Sequence, residues 1–276
     1  MKSLIKGVVA GLALSVALSG IASAQTIRMG TEGAYPPYNF INDSGQVDGF
    51  ERELGDELCK RAGLTCEWVT NEWDSIIPNL VSGNYDTIIA GMSITEERDK
   101  VIDFTQDYIP PSPSLFVALS GASVDLKGGV IAAQTATIQA GFIAASGATL
   151  VEFATPDETI QAVRNGEADA VLADGDYLMP IVGESNGELA VVGQESIGGG
   201  VGMGIRESDG ELKAKMNKAI GTMKADGTLN TMIKKWFGDE VLVAEPLLDH
   251  GVQRACLLYT SPSPRDRTRS RMPSSA

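Results

Sequence analysis

The sequence predicts an α/β protein built in two lobes, and three observations carry that expectation. From residue 26 onward, short β-like runs alternate with amphipathic helical stretches, the pattern of a mostly parallel sheet flanked by helices. A proline-rich break, Ile109-Pro110-Pro111-Ser112-Pro113, interrupts the alternation, and a second α/β series follows it. A glycine-rich run over residues 198–204 then precedes two further helical stretches, as expected where a chain crosses back to an earlier lobe.

Taken in order, residues 26–30 read as a strand and residues 50–62 as a helix, whose Leu54, Leu58 and Ala62 are spaced to make one buried face. A strand at 66–69, a helix around 73–82 and an apolar strand at 87–90 complete the first series. The second runs strand 129–133, helix near 137–145, strand 149–153, helix 156–165, strand 170–172. Helices at 212–224 and 229–237 are separated by Asp226-Gly227. The expected plan places residues 25–110 and 200–242 in lobe one and residues 111–199 in lobe two, with two hinge crossings. The glycine run is not read as a nucleotide loop, because its spacing is G-x-G-x-G, no helix start follows it directly, and no P-loop lysine follows.

The ends of the chain differ from its middle. Lys2 and Lys6 precede an apolar run over residues 8–21 that ends in Ala22-Ser23-Ala24, so residues 1–24 read as a signal peptide with its small-residue cleavage site, the alternative being an uncleaved anchor. Export to the periplasm follows from that reading. Residues 251–276 are rich in Ser, Pro and Arg without apolar period, and are expected to form a disordered or foreign tail. The chain carries a net charge of -14, and both terminal segments are basic, so the acid excess sits in the body. That excludes nucleic acid as the expected partner, since phosphate binding calls for clustered Lys and Arg. In an oxidising compartment Cys59 and Cys66, at a helix-to-strand turn, read as one disulfide closing a short loop, against a pair of buried free thiols. No cofactor or metal site is expected.

Four blocks carry a resemblance: GFERELGDELCKRAG at 49–63, TEGAYPPYNF at 31–40, NEWDSIIPNLVSGNYDTIIAGMSITEERDKVIDFT at 71–105 and KADGTLNTMIKKWFG at 224–238. Together, and in their order along the chain, they resemble the family-3 extracellular solute-binding proteins of polar amino-acid transporters, over about residues 26–240. Arg52 departs from the aliphatic residue usual in that family and reads as a local surface change. The resemblance implies two lobes that close on a free amino acid, two strand-like hinges, and delivery to the membrane subunits of an ABC importer by a monomer. TEGAYPPYNF and the cysteine spacing look most similar to binders of lysine, arginine, ornithine, histidine or opines, with glutamine or glutamate as the alternative ligand.

A free amino acid carries a carboxylate and an ammonium, and a pocket must replace the hydration of both with charge-assisted hydrogen bonds. The resemblance makes Arg98 the carboxylate clamp and Asp174 the ammonium acceptor, one from each lobe. From the local sequence alone each has a plainer reading, a surface arginine and a turn aspartate. Gly91, Met92 and Ser93 match a backbone-rich turn that serves both ligand groups. Ala136 and Thr137 match a second-lobe loop at a helix start, where Thr137 is equally a helix cap. Tyr35 and Trp73 match aromatic walls around the ligand side chain, and Glu32 matches the acidic residue facing a distal cation.

Two other functions compete. An exported dehydratase of the same fold is disfavoured because the only histidine is His250 and no nucleophile elbow occurs. A detached sensory domain is disfavoured because no downstream signalling segment is present. The expectation is a binding protein, not an enzyme.

Overall fold

A computed structural model describes residues 25–238. The expected signal peptide and tail, and the last residues assigned to lobe one, lie outside the described residues.

The chain begins with β1 (Thr26–Thr31), a small meander of β2 (Ala34–Tyr35), β3 (Asn39–Ile41) and β4 (Val47–Asp48), helix α1 (Phe50–Ala62) and β5 (Thr65–Thr70). A 3₁₀ turn at Trp73–Ser75 leads into α2 (Ile76–Val81) and β6 (Thr87–Ile88), and a second at Arg98–Lys100 precedes β7 (Asp103–Ile109) and β8 (Ser114–Leu119). Then come β9 (Val130–Gln134), α3 (Ile138–Ser146), β10 (Thr149–Phe153), α4 (Pro156–Asn165), β11 (Ala170–Asp174), α5 (Gly175–Glu184) and β12 (Leu189–Glu195). The chain closes with β13 (Val201–Ile205), α6 (Gly210–Ala225) and α7 (Thr228–Phe237). None of the described helices is long and apolar enough to cross a membrane.

Two five-stranded sheets result, one ordered β5-β1-β6-β13-β7 and the other β10-β9-β11-β8-β12. In each, four strands run the same way and one opposes them: β13 is antiparallel to β6 and β7, and β8 is antiparallel to β11 and β12. Both reversed strands are the first laid down after a crossing, β8 after residues 110–113 and β13 after residues 196–200. A chain that leaves one sheet at a strand's C-terminal end and enters the next without a helix arrives at the facing ends of that sheet's strands. It must therefore run against them. The crossing strands β7, β8, β12 and β13 were not read as strands from the residue pattern, because no helix intervenes to mark a βα unit; only the resemblance implied strand-like hinges.

Local chemistry explains the best-defined helices. α4 carries a full capping box, with Thr155 and Glu158 exchanging side-chain and backbone bonds, Pro156 in its first turn and Gly166 closing it at φ 74. α1 buries Phe50, Leu54 and Leu58 and packs against α6 and α7. Each such side chain contributes roughly 1.5–3 kcal/mol by burial. Arg52 ion-pairs with Asp56 at 2.8 Å and lies 5.4 Å over the Trp68 ring, outside the site. α5 was missed from sequence because it starts at Gly175 and contains Pro180, both poor helix residues, while burial of Tyr177 and Leu178 overrides propensity.

Cys59 at the end of α1 and Cys66 in β5 form a disulfide. Closing so short a loop removes about 2 kcal/mol of chain entropy from the unfolded state. A Cys59→Ser/Cys66→Ser variant is expected to lose about that much in chemical denaturation, with ligand affinity at low denaturant unchanged.

Candidate functional site

In open α/β sheets the strand ends are where loops can converge on a ligand, because the helices occupy the faces. That is where the described chain places its candidate residues. β1 ends one residue before Glu32, and β6 runs into Ala90, Gly91 and Ser93; β9 ends at Gln134 just before Thr137, and β11 ends on Asp174. These strands come from both sheets, and their ends line one cleft.

Of the ten residues proposed from sequence, Glu32, Tyr35, Trp73, Gly91, Ser93, Arg98, Thr137 and Asp174 line this cleft. The other two are placed differently. The Met92 side chain is fully buried and packs with Trp73 and Ile76 in the core, because successive side chains on an extended segment point opposite ways. Ala136 lines an adjoining groove, where its carbonyl accepts a bond from Trp73 Nε1 at 3.3 Å; its φ of 56° turns the chain sharply into α3. Gly91 suits its left-handed φ of 61°, and a Cβ there would lie 3.3 Å from the Tyr35 ring, which would have to shift by a few tenths of an ångström.

Arg98 and Asp174 set the electrostatics. The Arg98 guanidinium donates from Nη1 to the Ser93 carbonyl at 2.9 Å and stacks 5.3 Å over Trp73. Its neighbours are thus a carbonyl and an aromatic face rather than a bonded carboxylate. Burial lowers its pKa to about 10, against the opposing pull of Asp174 and Glu97, so it stays a cation at neutral pH. Asp174 accepts from the Tyr35 hydroxyl at 2.8 Å on one oxygen and from Gln139 Nε2 at 2.8 Å on the other. Burial raises it to about 6, although Tyr35, Arg98 and Gln139 all favour its charged form.

Glu32 forms the far wall. Gln134 Nε2, from the other sheet, donates to its carboxyl at 2.5 Å and also to the Ala154 carbonyl at 3.1 Å. Burial pushes Glu32 up to about 7. Tyr35 stacks on Tyr177 with ring centroids 4.3 Å apart, which stiffens the wall between Glu32 and Asp174. Thr137 caps α3, its hydroxyl accepting from the Ala140 amide at 3.1 Å while donating to the Gln134 carbonyl at 2.7 Å. The helix cap, one of the two equal readings of Thr137, is therefore present, and the residue lines the cleft as well.

Sequence reasoning passed over Gln134 and Gln139. Both are buried glutamines whose partners Glu32 and Asp174 lie far away in the chain, and no motif marks either. Among the described residues no group of three or more His, Cys, Asp or Glu is placed to hold a metal ion. The cleft thus brings together one half-buried cation, one half-buried acid, and a second acid beyond an aromatic wall.

Known proteins resemble this chain over nearly its whole described length. The putative ABC transporter arginine-binding protein 2 of Escherichia coli is 35% identical over 246 residues, covering 86% of this chain and 98% of its own. The histidine-binding periplasmic protein of the same organism is 34% identical over 257 residues, covering 87% and 99%. A solved periplasmic His/Glu/Gln/Arg/opine family-binding protein from Silicibacter pomeroyi, in complex with lysine, is 77% identical with a TM-score of 0.77, covering 79% of this chain and 100% of that one. The profile of one family spans residues 27–239, almost the whole described chain, and on that match the chain belongs to the bacterial extracellular solute-binding proteins, family 3.

Proposed function

We propose that this protein captures a free basic amino acid, lysine, arginine, ornithine or histidine, between its two lobes and delivers it to the membrane subunits of an ABC importer. One observation carries the reading: a half-buried arginine with no bonded carboxylate and a half-buried aspartate face one cleft, with a second acid on the far wall. Arg98 clamps the ligand carboxylate, with its planar fork suited to a bidentate grip. Asp174 and the turn around Gly91 and Ser93 accept the ammonium. Tyr35 and Trp73 flank the aliphatic stem, and Glu32 meets the distal cation. Arg98 and Asp174 stand on different sheets, so a ligand that bonds to both favours the closed state by its difference in affinity for closed and open forms. The periplasmic relatives and the amino-terminal signal pattern support a periplasmic location.

Glu32 is the residue that decides ligand class. Glu32→Gln is expected to weaken lysine binding about 10–100-fold, the range for a charge-assisted bond lost, while glutamine affinity changes little. Equal losses for both ligands in calorimetric titration would remove Glu32 from the distal site.

The raised carboxyls give the pH dependence its sign. As pH falls through 7 and then 6, Glu32 and Asp174 take up protons that a cationic ligand must displace, so lysine affinity falls on acidification. Glu32→Gln removes the upper part of that fall. Without ligand, stability runs the other way: these groups favour the fold below the ordinary carboxylate range, and that contribution is lost as pH rises through 6 and 7. Affinity that is flat from pH 5.5 to 8 in the unmutated protein would contradict the assignment.

A further inference from the structure

Glu51 sits in the first turn of α1, fully buried, and lines no part of the cleft. Its carboxyl nevertheless joins three segments of the first lobe. Oε1 accepts from the Gly91 amide at 2.7 Å and from the Tyr108 hydroxyl, and Oε2 accepts from Asn39 Nδ2 at 2.8 Å. The orientation of Asn39 is fixed in turn, because its Oδ1 accepts from the Gly33 amide at 2.7 Å. Gly91 belongs to the turn at the base of the cleft, Gly33 directly follows Glu32, and Tyr108 lies near the end of the strand that crosses to the second lobe.

We infer that Glu51 is the positioning residue of this binding site, holding the Gly91 turn directly and the Glu32 loop through Asn39, so that both ligand-facing segments are set by one carboxyl. The inference rests on the proposed ligand roles of those two segments. Its logic is one of donors and acceptors. Gly91 N–H and Asn39 Nδ2–H are obligatory donors, one to each oxygen of Glu51, and only a carboxyl accepts at both. A glutamine at 51 with its oxygen towards Gly91 turns an NH₂ against the NH₂ of Asn39. Asn39 then flips and releases Gly33, or stays and leaves two buried donors facing each other.

The same logic names the repair. In Glu51→Gln/Asn39→Asp the amide at 51 accepts from Gly91 and donates to the carboxylate at 39, whose other oxygen still accepts from Gly33. The experiment compares the full chain, Glu51→Gln and the double variant by lysine titration and by hydrogen exchange at the Gly33 and Gly91 amides, well below the unfolding midpoint. Glu51→Gln is expected to lose tenfold or more in lysine affinity and to expose the Gly33 amide, with exchange in β9 and β11 unchanged. The double variant is expected to recover Gly33 protection and most of the affinity. Wild-type affinity in Glu51→Gln, or a double variant no better than the single, overturns the inference. If Glu51→Gln fails to fold, the double variant alone decides: folding with lysine binding supports the inference, and failure of either sinks it. Should the unmutated protein bind no lysine, the proposed function fails, while exchange at Gly33 and Gly91 still reports on Glu51.

Discussion

Arg98→Ala is expected to abolish amino-acid binding at any practical concentration. Truncating one partner of a desolvated, hydrogen-bonded charge pair costs about 3–5 kcal/mol, a few hundred- to a few thousand-fold in affinity. The distinguishing feature is what does not change. Arg98 already carries the cost of burial, which lowers its pKa to about 10, and its partners are the Ser93 carbonyl and the Trp73 face. Removing it therefore costs the ligand-free fold little, and the unfolding midpoint should move by no more than a few degrees. Arg98→Lys keeps the charge but loses the fork, and should fall between, at about 10–100-fold. A residue whose role was structural would show the reverse, with a large stability loss and near-normal affinity after correction for unfolded protein.

Asp174→Asn has the second-largest expected effect, a loss of about 2–4 kcal/mol in binding for every amino acid tested, since all share the α-ammonium. The substitution keeps the shape, and the amide oxygen still accepts from the Tyr35 hydroxyl. Gln139 can rotate to present its oxygen to the new NH₂ group. What disappears is the charge facing the ligand ammonium, and with it the part of the pH dependence near 6. Asp174→Asn and Glu32→Gln thus separate by ligand: the first acts on all amino acids, the second on those with a cationic side chain. Calorimetric titration of lysine and glutamine against both variants checks the pattern.

How much of this was legible in the sequence depends on how local the determinants are. α4 was read with its observed bounds because Thr155, Pro156, Glu158 and Gly166 specify both ends within a dozen residues. α1 was read from the four-residue spacing of Leu54 and Leu58. By contrast, the direction of β8 and β13 is set by the sheet they arrive from, and nothing within those strands encodes it. The site divides the same way. Arg98 and Asp174 were singled out only through resemblance to a family, since locally each reads as a surface or turn residue. Gln134, Gln139, Glu51 and Asn39 matter through partners elsewhere in the chain, and a lone Gln or Asn in sequence carries no sign of it. Met92 was grouped with its neighbours for the backbone of their turn, and its side chain faces the core because side chains along an extended segment alternate.

The most direct test of the account is a calorimetric titration of the exported protein, stripped of ligand by unfolding and refolding, with lysine, arginine, ornithine, histidine, glutamine and glutamate at pH 7.5. Saturable one-to-one binding of the basic amino acids, tighter than glutamine and much tighter than glutamate, is the predicted result. Binding of glutamine or glutamate in preference to every basic amino acid, or of none of the six, would contradict it.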